Sequence, residues 1–341
     1  MVYFDRRKCN ITFGSVRIVA AFLGLVAVVL LFFCEVEQKK LAECSYNPTK
    51  ELSPEFLYCF REAFSFLRST TDVSPFHSEP LFSNGHLQRH TIKGIEWLDE
   101  NVAPIPIILI THNRITVLLE TIRSFHRYIK TPFEIVIHDE GSSYPALVAF
   151  LKMLEMSGVK VFRAPPKKKT EIESEYPLGY LVARVAKTVE QVLKVSNSSV
   201  YVVSDPDCAL DSAPGHILEV YRHALNVMPA VKGVGASIRI DDVPKSFLKE
   251  SKEWQEPKAQ EFFLYDDYPI RFSRRTVDTT FCMYRRSFRF DRMQGSVRLE
   301  MPFGVRHLDF YFESLEKSPP DVKSYLASNK LGISHASNYI K

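Results

Sequence analysis

Five short apolar runs, separated by stretches of helical period, constrain this chain more than any other feature. Pro106-Ile107-Ile108-Leu109-Ile110 is uninterrupted and bounded by prolines, the pattern of a strand buried on both faces. Ile115, Leu118, Leu119, Ile122, Phe125 and Ile129 then recur at helical spacing. Residues 133–137 predict a second strand, and 146–156 a helix closed by Gly158, a residue suited to the left-handed cap. A third strand is expected over 159–162, a helix over 178–195 and a fourth strand over 200–203. A helix over 214–228, with Pro214 in its first turn, precedes a fifth strand over 231–240. Strand and helix alternating in this order imply an α/β fold with a mostly parallel sheet and right-handed crossovers.

The N-terminal part reads differently. Arg6, Arg7 and Lys8 precede an apolar run over 18–33, which ends at Cys34-Glu35. A bilayer core takes about 20 apolar residues, and this run is at the short end once Phe13 and Gly14 are counted with it. The basic flank places residues 1–17 in the cytoplasm and the rest across the membrane. Bulky residues before Cys34 favour an uncleaved anchor over a cleaved signal peptide. The expected organisation is a tail over 1–17, a transmembrane anchor over 18–34, a lumenal stem over 35–103 and a globular domain over 104–341. A short span suits the thin early-secretory membrane, hence ER or Golgi. Asn197-Ser198-Ser199 is then an acceptor sequon on the lumenal side. Lys+Arg number 44 and Asp+Glu 40, too balanced to point to nucleic acid. Six cysteines are too few for a disulfide-built scaffold.

In α/β sheets, ligands bind beyond the carboxyl ends of the strands. Three polar clusters fall there: Thr111-His112-Asn113-Arg114, His138-Asp139-Glu140-Gly141-Ser142 and Ser204-Asp205-Pro206-Asp207. Two carboxylates one residue apart, directly after a buried strand, can share one hard divalent cation. Mn2+ and Mg2+ take oxygen ligands from one or two carboxylates and from diphosphate. Asp-Pro-Asp is also ordinary turn composition.

The order of these motifs resembles the family 2 glycosyltransferases and their relatives of the GT-A fold. Four pieces carry the likeness over residues 104–340: Thr111 and its polar followers, Asp139-Glu140-Gly141-Ser142, Gly179-Tyr180-Leu181-Val182-Ala183-Arg184, and the DxD of Asp205-Pro206-Asp207. Val185 and Ser143-Tyr144 depart from the family pattern. The resemblance implies a Rossmann-like GT-A domain with hexosyltransferase activity, moving a sugar from a nucleotide-sugar to a glycan, glycoprotein or glycolipid. Thr111, Arg114, Asp139, Arg184 and Asp205 would contact the donor. Asp205, Asp207 and a late histidine, His335, would hold Mn2+ or Mg2+. Asp309, in Arg306-His307-Leu308-Asp309-Phe310-Tyr311, would be the catalytic base and open a helix-like stretch. A cation beside the diphosphate neutralises the leaving group, and a carboxylate opposite it deprotonates the attacking hydroxyl. Such a single displacement inverts the anomeric centre.

Other readings stay open on the residues alone. A GT-A-like lumenal binding protein without activity would carry the same motifs. A nucleotidyltransferase or phosphohydrolase also seats metal on paired carboxylates, although Thr111-His112-Asn113-Arg114 lacks the glycines a nucleotidyltransferase loop wants. The basic and aromatic residues from Arg271 to Phe290 suit either a sugar-binding surface or a strand and turn with a basic face. Cys208 and Cys282 are candidates to pair, and Asp241-Asp242 and Asp266-Asp267 read as a strand end and a loop.

Overall fold

The computed structural model describes residues 103–165, 177–211, 213–243, 261–291, 295–312 and 315–328. The tail, anchor and stem, Lys167-Lys168-Lys169 and His335 lie outside them. Among the described residues, no helix is long and apolar enough to cross a membrane.

The first half follows the alternation. β1 (Ile105–Thr111), α1 (Ile115–Tyr128), β2 (Phe133–Asp139), α2 (Pro145–Met156), β3 (Lys160–Arg163), α3 (Pro177–Val195) and β4 (Val200–Ser204) come in that order. β5 (Cys208–Ala209), α4 (Ile217–Val227) and β6 (Gly233–Ala236) follow. Then come β7 (Glu261–Tyr265), β8 (Tyr268–Ser273), β9 (Cys282–Arg285), β10 (Ser296–Leu299), β11 (Arg306–His307), a 3-10 turn (Leu308–Tyr311) and α5 (Pro320–Ser328).

Nine strands form one sheet in the order β3-β2-β1-β4-β9-β6-β10-β8-β7. The expected mostly parallel sheet is corrected to a mixed one. β2–β3, β1–β2, β1–β4 and β6–β10 pair in parallel. β4–β9, β6–β9, β8–β10 and β7–β8 pair antiparallel. The reason is that β9 returns from the carboxyl edge and wedges between β4 and β6, strands that simple crossovers would make neighbours. The fifth strand is four residues, Gly233–Ala236, flanked by Lys232 and Ser237, whose N–H groups donate to the Gly295 and Leu299 carbonyls. The helix expected over 214–228 begins at Ile217, with the Pro214 carbonyl accepting the Ile217 N–H before the first turn. Asp266-Asp267 is the two-residue turn of the β7–β8 hairpin, and both residues are left-handed at φ 47° and 66°, as such hairpin turns demand. Cys208 and Cys282 are free and buried, not paired.

Helices cover both faces. Ile107 and Leu109 of β1 face Leu118 and Phe125 of α1, Leu147 of α2 and Tyr221 of α4. Ile108 and Ile110 face Val185 and Val189 of α3 on the other side. Each such side chain withdrawn from water stabilises the fold by about 1.5–3 kcal/mol before entropy is counted. The register then fixes the site. Thr111 stands opposite Asp139, and Leu109 opposite Ser204, so three strands end within two residues of one another.

Candidate active site

At the end of β1 the chain turns sharply. Thr111 is buried, its carbonyl accepts the Glu140 N–H at 2.9 Å, and its hydroxyl has no hydrogen-bond partner. Asn113 adopts φ 54°, a left-handed conformation that asparagine tolerates. Its N–H donates to Ser142 Oγ at 2.9 Å, and its Oδ1 accepts the N–H groups of Ser143 and Tyr144 at 2.7 and 2.8 Å. The first cluster is thereby stitched to the second at the start of α2. Asp139 accepts the Ser142 N–H at 3.0 Å and lies 3.7 Å from Arg163. Glu140 is buried, accepts from His138 Nε2 at 2.7 Å and from Arg184 Nη1 at 3.1 Å. Arg184 of α3 is therefore anchored to the β2 loop.

The centre of the site is Arg114. Its Nη1 donates to Asp207 Oδ2 at 2.9 Å and to Asp309 Oδ2 at 2.7 Å. The Tyr325 ring of α5 lies under the guanidinium, 4.6 Å from centroid to carbon. His307 Nδ1 is 3.8 Å from Asp207 Oδ2. Arg114, Asp207, His307 and Asp309 are all buried. Burial works against the Arg114 charge, but Asp309 and Asp207 outweigh it and keep the guanidinium protonated. Burial also pushes the Asp207 carboxyl up, yet His307 and Arg114 prevail and hold it well below the usual carboxylate range. Asp309 goes the other way: burial, with the Asp207 charge opposing the pull of Arg114, pushes it up to about 6. Two carboxylates with values driven apart divide naturally into a fixed anion and a proton acceptor.

Asp205 does not join this group. Its carboxylate accepts the Thr279 hydroxyl, and its N–H donates to the Thr279 carbonyl at 2.7 Å. Thr279 is held there by a strained turn, since Phe281 is fully buried at φ 44°. That conformation costs a bulky residue roughly 1–3 kcal/mol. The ring is fixed between Phe125 and Tyr221, at 5.1 and 5.8 Å.

Among the described residues, the side chains grouped closely enough to hold a metal here are Asp207, Cys208 and His307, whose ligand atoms all lie within 4.8 Å of one another. Burial pushes the Cys208 thiol far up, so it is neutral and a poor ligand for a hard cation. A carboxylate and an imidazole remain. That pair can contribute to the coordination of a divalent cation.

Of the residues singled out in the sequence, Arg114, Asp207 and Asp309 meet directly. Thr111 and Asp139 share the β1–β2 edge, while Asp205 and Arg184 are engaged by Thr279 and Glu140. Nothing in the sequence marks His307, Thr279 or Tyr325 as a site residue, although His307 lies in the string that contains Asp309. The helix-like stretch expected around Asp309 is β11 followed by a 3-10 turn. β11 pairs with β5, setting His307 opposite Cys208.

No family model matches the chain, and no curated protein matches it. Solved structures that resemble it include a mannosyltransferase from Pyrobaculum calidifontis in complex with GDP-Man and Mn2+. It is 14% identical with a TM-score of 0.32, over 68% of this chain and 52% of that one. TarS residues 1–349 from S. aureus are 16% identical with a TM-score of 0.33, over 54% and 47%. Glucosyl-3-phosphoglycerate synthase from Mycobacterium tuberculosis is 12% identical with a TM-score of 0.30, over 54% and 57%. The chain thus spans about half the length of these structures. Likeness at this level does not carry an activity across.

Proposed function

We propose that the chain is a nucleotide-sugar glycosyltransferase of GT-A type, dependent on Mn2+, acting by single displacement with inversion on a glycan, glycoprotein or glycolipid acceptor. The reading includes the type II anchor and an ER or Golgi lumenal site. The observation that carries it is the buried assembly of Arg114, Asp207, His307 and Asp309 at the carboxyl edge of the sheet.

Asp207 and His307 would hold the cation, which when bound neutralises charge on the departing diphosphate. Asp309 takes the proton from the acceptor hydroxyl. Burial raises its pKa above the usual carboxylate range, in the direction that makes a carboxylate a better proton acceptor. Arg114 aims both carboxylates from one nitrogen and offsets their charge. Thr111, with its hydroxyl uncommitted, and Asp139 face the edge where a nucleotide would lie.

The test is a screen of UDP- and GDP-sugars with the full chain, scoring Mn2+-dependent binding and donor hydrolysis. Turnover of at least one donor is expected, and Asp207→Asn should cut it at least a hundredfold, about 2.7 kcal/mol of barrier. Turnover unaffected by excess chelator, or by Asp207→Asn, would reject the assignment. Donor binding with no transfer or hydrolysis would leave a binding protein.

A further inference from the structure

One stripe of α3 runs along β2. Thr188 Oγ1 lies 2.7 Å from His138 Nδ1, and Arg184 Nη1 donates to Glu140 at 3.1 Å. Four residues of helix advance about 6 Å, and the two residues from His138 to Glu140 advance about 6.6 Å of strand. The two rows therefore keep pace, running in opposite directions. Tyr180 is the next residue of that stripe, four before Arg184 and within the helix. It stands about 6 Å past Glu140, beyond the carboxyl edge of the sheet. Its side chain leans farther out, because the Cα–Cβ bonds of a helix tilt toward the N-terminus. Tyr180 is 44% exposed, whereas Val185 and Val189 of the same helix are buried. The ring is thus no part of the core that α3 covers.

Beneath that ring is the β1–β2 edge, where Thr111 stands opposite Asp139. The Thr111 hydroxyl is buried there with no hydrogen-bond partner among the described residues. β2 is two strands from β4, in the order β2-β1-β4, which is about 10 Å across the sheet. Asp207 lies just past β4, so a cation on it and the diphosphate beside that cation sit at the far end of this span. The part of a nucleotide that reaches Tyr180 is then its base. Aromatic rings stack on bases with little regard to which base it is. We infer that Tyr180 is a donor-binding residue, the platform on which the base of the nucleotide stacks. The inference rests on the nucleotide-sugar reading and adds to it the residue that holds the base.

The test is calorimetric titration of the full chain with UDP and with GDP in Mn2+, comparing wild type, Tyr180→Ala and Tyr180→Phe. For whichever nucleotide wild type binds, Tyr180→Ala should weaken affinity about 5- to 100-fold, the loss expected for one stacked base. Tyr180→Phe should stay within about twofold of wild type, because stacking needs the ring and not the hydroxyl. Thermal midpoints of the three proteins should agree, since the ring is exposed. Wild-type affinity in Tyr180→Ala overturns the inference. So does an equal loss in Tyr180→Phe, which would assign a hydrogen bond from the phenol in place of stacking. So does a lost affinity in Tyr180→Ala that comes with a lowered midpoint, which would make Tyr180 a structural residue of α3. Binding of neither UDP nor GDP by wild type overturns the nucleotide-sugar reading itself, and this inference with it.

Discussion

A carboxylate 2.7 Å from a guanidinium is ordinarily driven below its usual pKa. Asp309 is instead pushed up to about 6 because burial exceeds the help from Arg114 and Asp207 adds its own charge. Asp309→Asn keeps the size and the oxygen that faces Arg114 but cannot take a proton. It should retain Mn2+ and donor binding while transfer falls by about 10²–10⁴-fold. Calorimetry beside a transfer assay separates the two, and wild-type transfer would end the assignment. Thr111, Asp139, Asp205 and Asp207 were legible because each stands where an apolar run stops. Arg114 and Asp309 were legible only through resemblance. His307 was not, since a lone histidine gives no signal until β11 pairs with β5 and brings it to Asp207. Thr279 and Tyr325 likewise acquire a role only through contacts distant in sequence.

Elements were legible wherever hydrophobic period was strong, and lost where strands were short or charged. β1 to β4 and their helices follow from apolar runs alone. β9 lies inside the basic and aromatic run, whose pattern left a sugar surface and a strand equally open. The structure gives two of its arginines to helix ends. Arg285 Nη2 donates to the Leu225 and Met228 carbonyls at the end of α4, and Nη1 to Val231. Arg286 donates to the Leu193, Ser196 and Ser198 carbonyls at the end of α3. Arg285 ends β9 and Arg286 opens the turn after it, so one pair of residues closes a helix on each side of the sheet. A cation at a helix C-terminus is favoured by the dipole and satisfies carbonyls that have no partner in the helix. Arg285→Met should therefore cost about 2–4 kcal/mol, since bonds from a charged donor contribute about 1.5–3 kcal/mol. Urea unfolding checks this, and Arg285→Lys should recover part of the loss. A cost below about 0.5 kcal/mol would return these arginines to the surface role.

At the scale of the whole molecule, the site is closed by a helix that sequence period did not reveal. α5 is short, with Val322 and Leu326 as its apolar contacts, and those join Val117 of α1, Ala209 of β5, Leu308 of the 3-10 turn and Phe312 just after it. This small cluster ties together the four segments that carry Arg114, Asp207, Asp309 and Tyr325. Its polar lock is Asp321, which is fully buried and accepts the Thr116 N–H at 2.8 Å and the Thr116 hydroxyl at 2.9 Å. It thus caps α1 from the far end of the chain. Burial raises the Asp321 pKa above the usual value, although the bonds from Thr116 pull against it. A raised carboxyl pKa means the folded state prefers the protonated acid. The stability linked to that preference is full below about pH 4 and fades as pH rises through the folded value. Asp321→Asn keeps one oxygen to accept the Thr116 N–H and turns its amide toward the Thr116 hydroxyl, which can accept from it, but it does not ionise. Its stability relative to wild type should therefore improve from pH 4 to pH 7 in urea unfolding. Asp321→Ala removes the cap and should lose about 1–2 kcal/mol at both pH values. With α5 loosened, Tyr325 leaves Arg114, and transfer by Asp321→Ala should fall while Asp321→Asn stays near wild type. Equal transfer by both variants would separate α5 from the site, and a relative stability of Asp321→Asn that worsens with rising pH would show that Asp321 is needed as the anion.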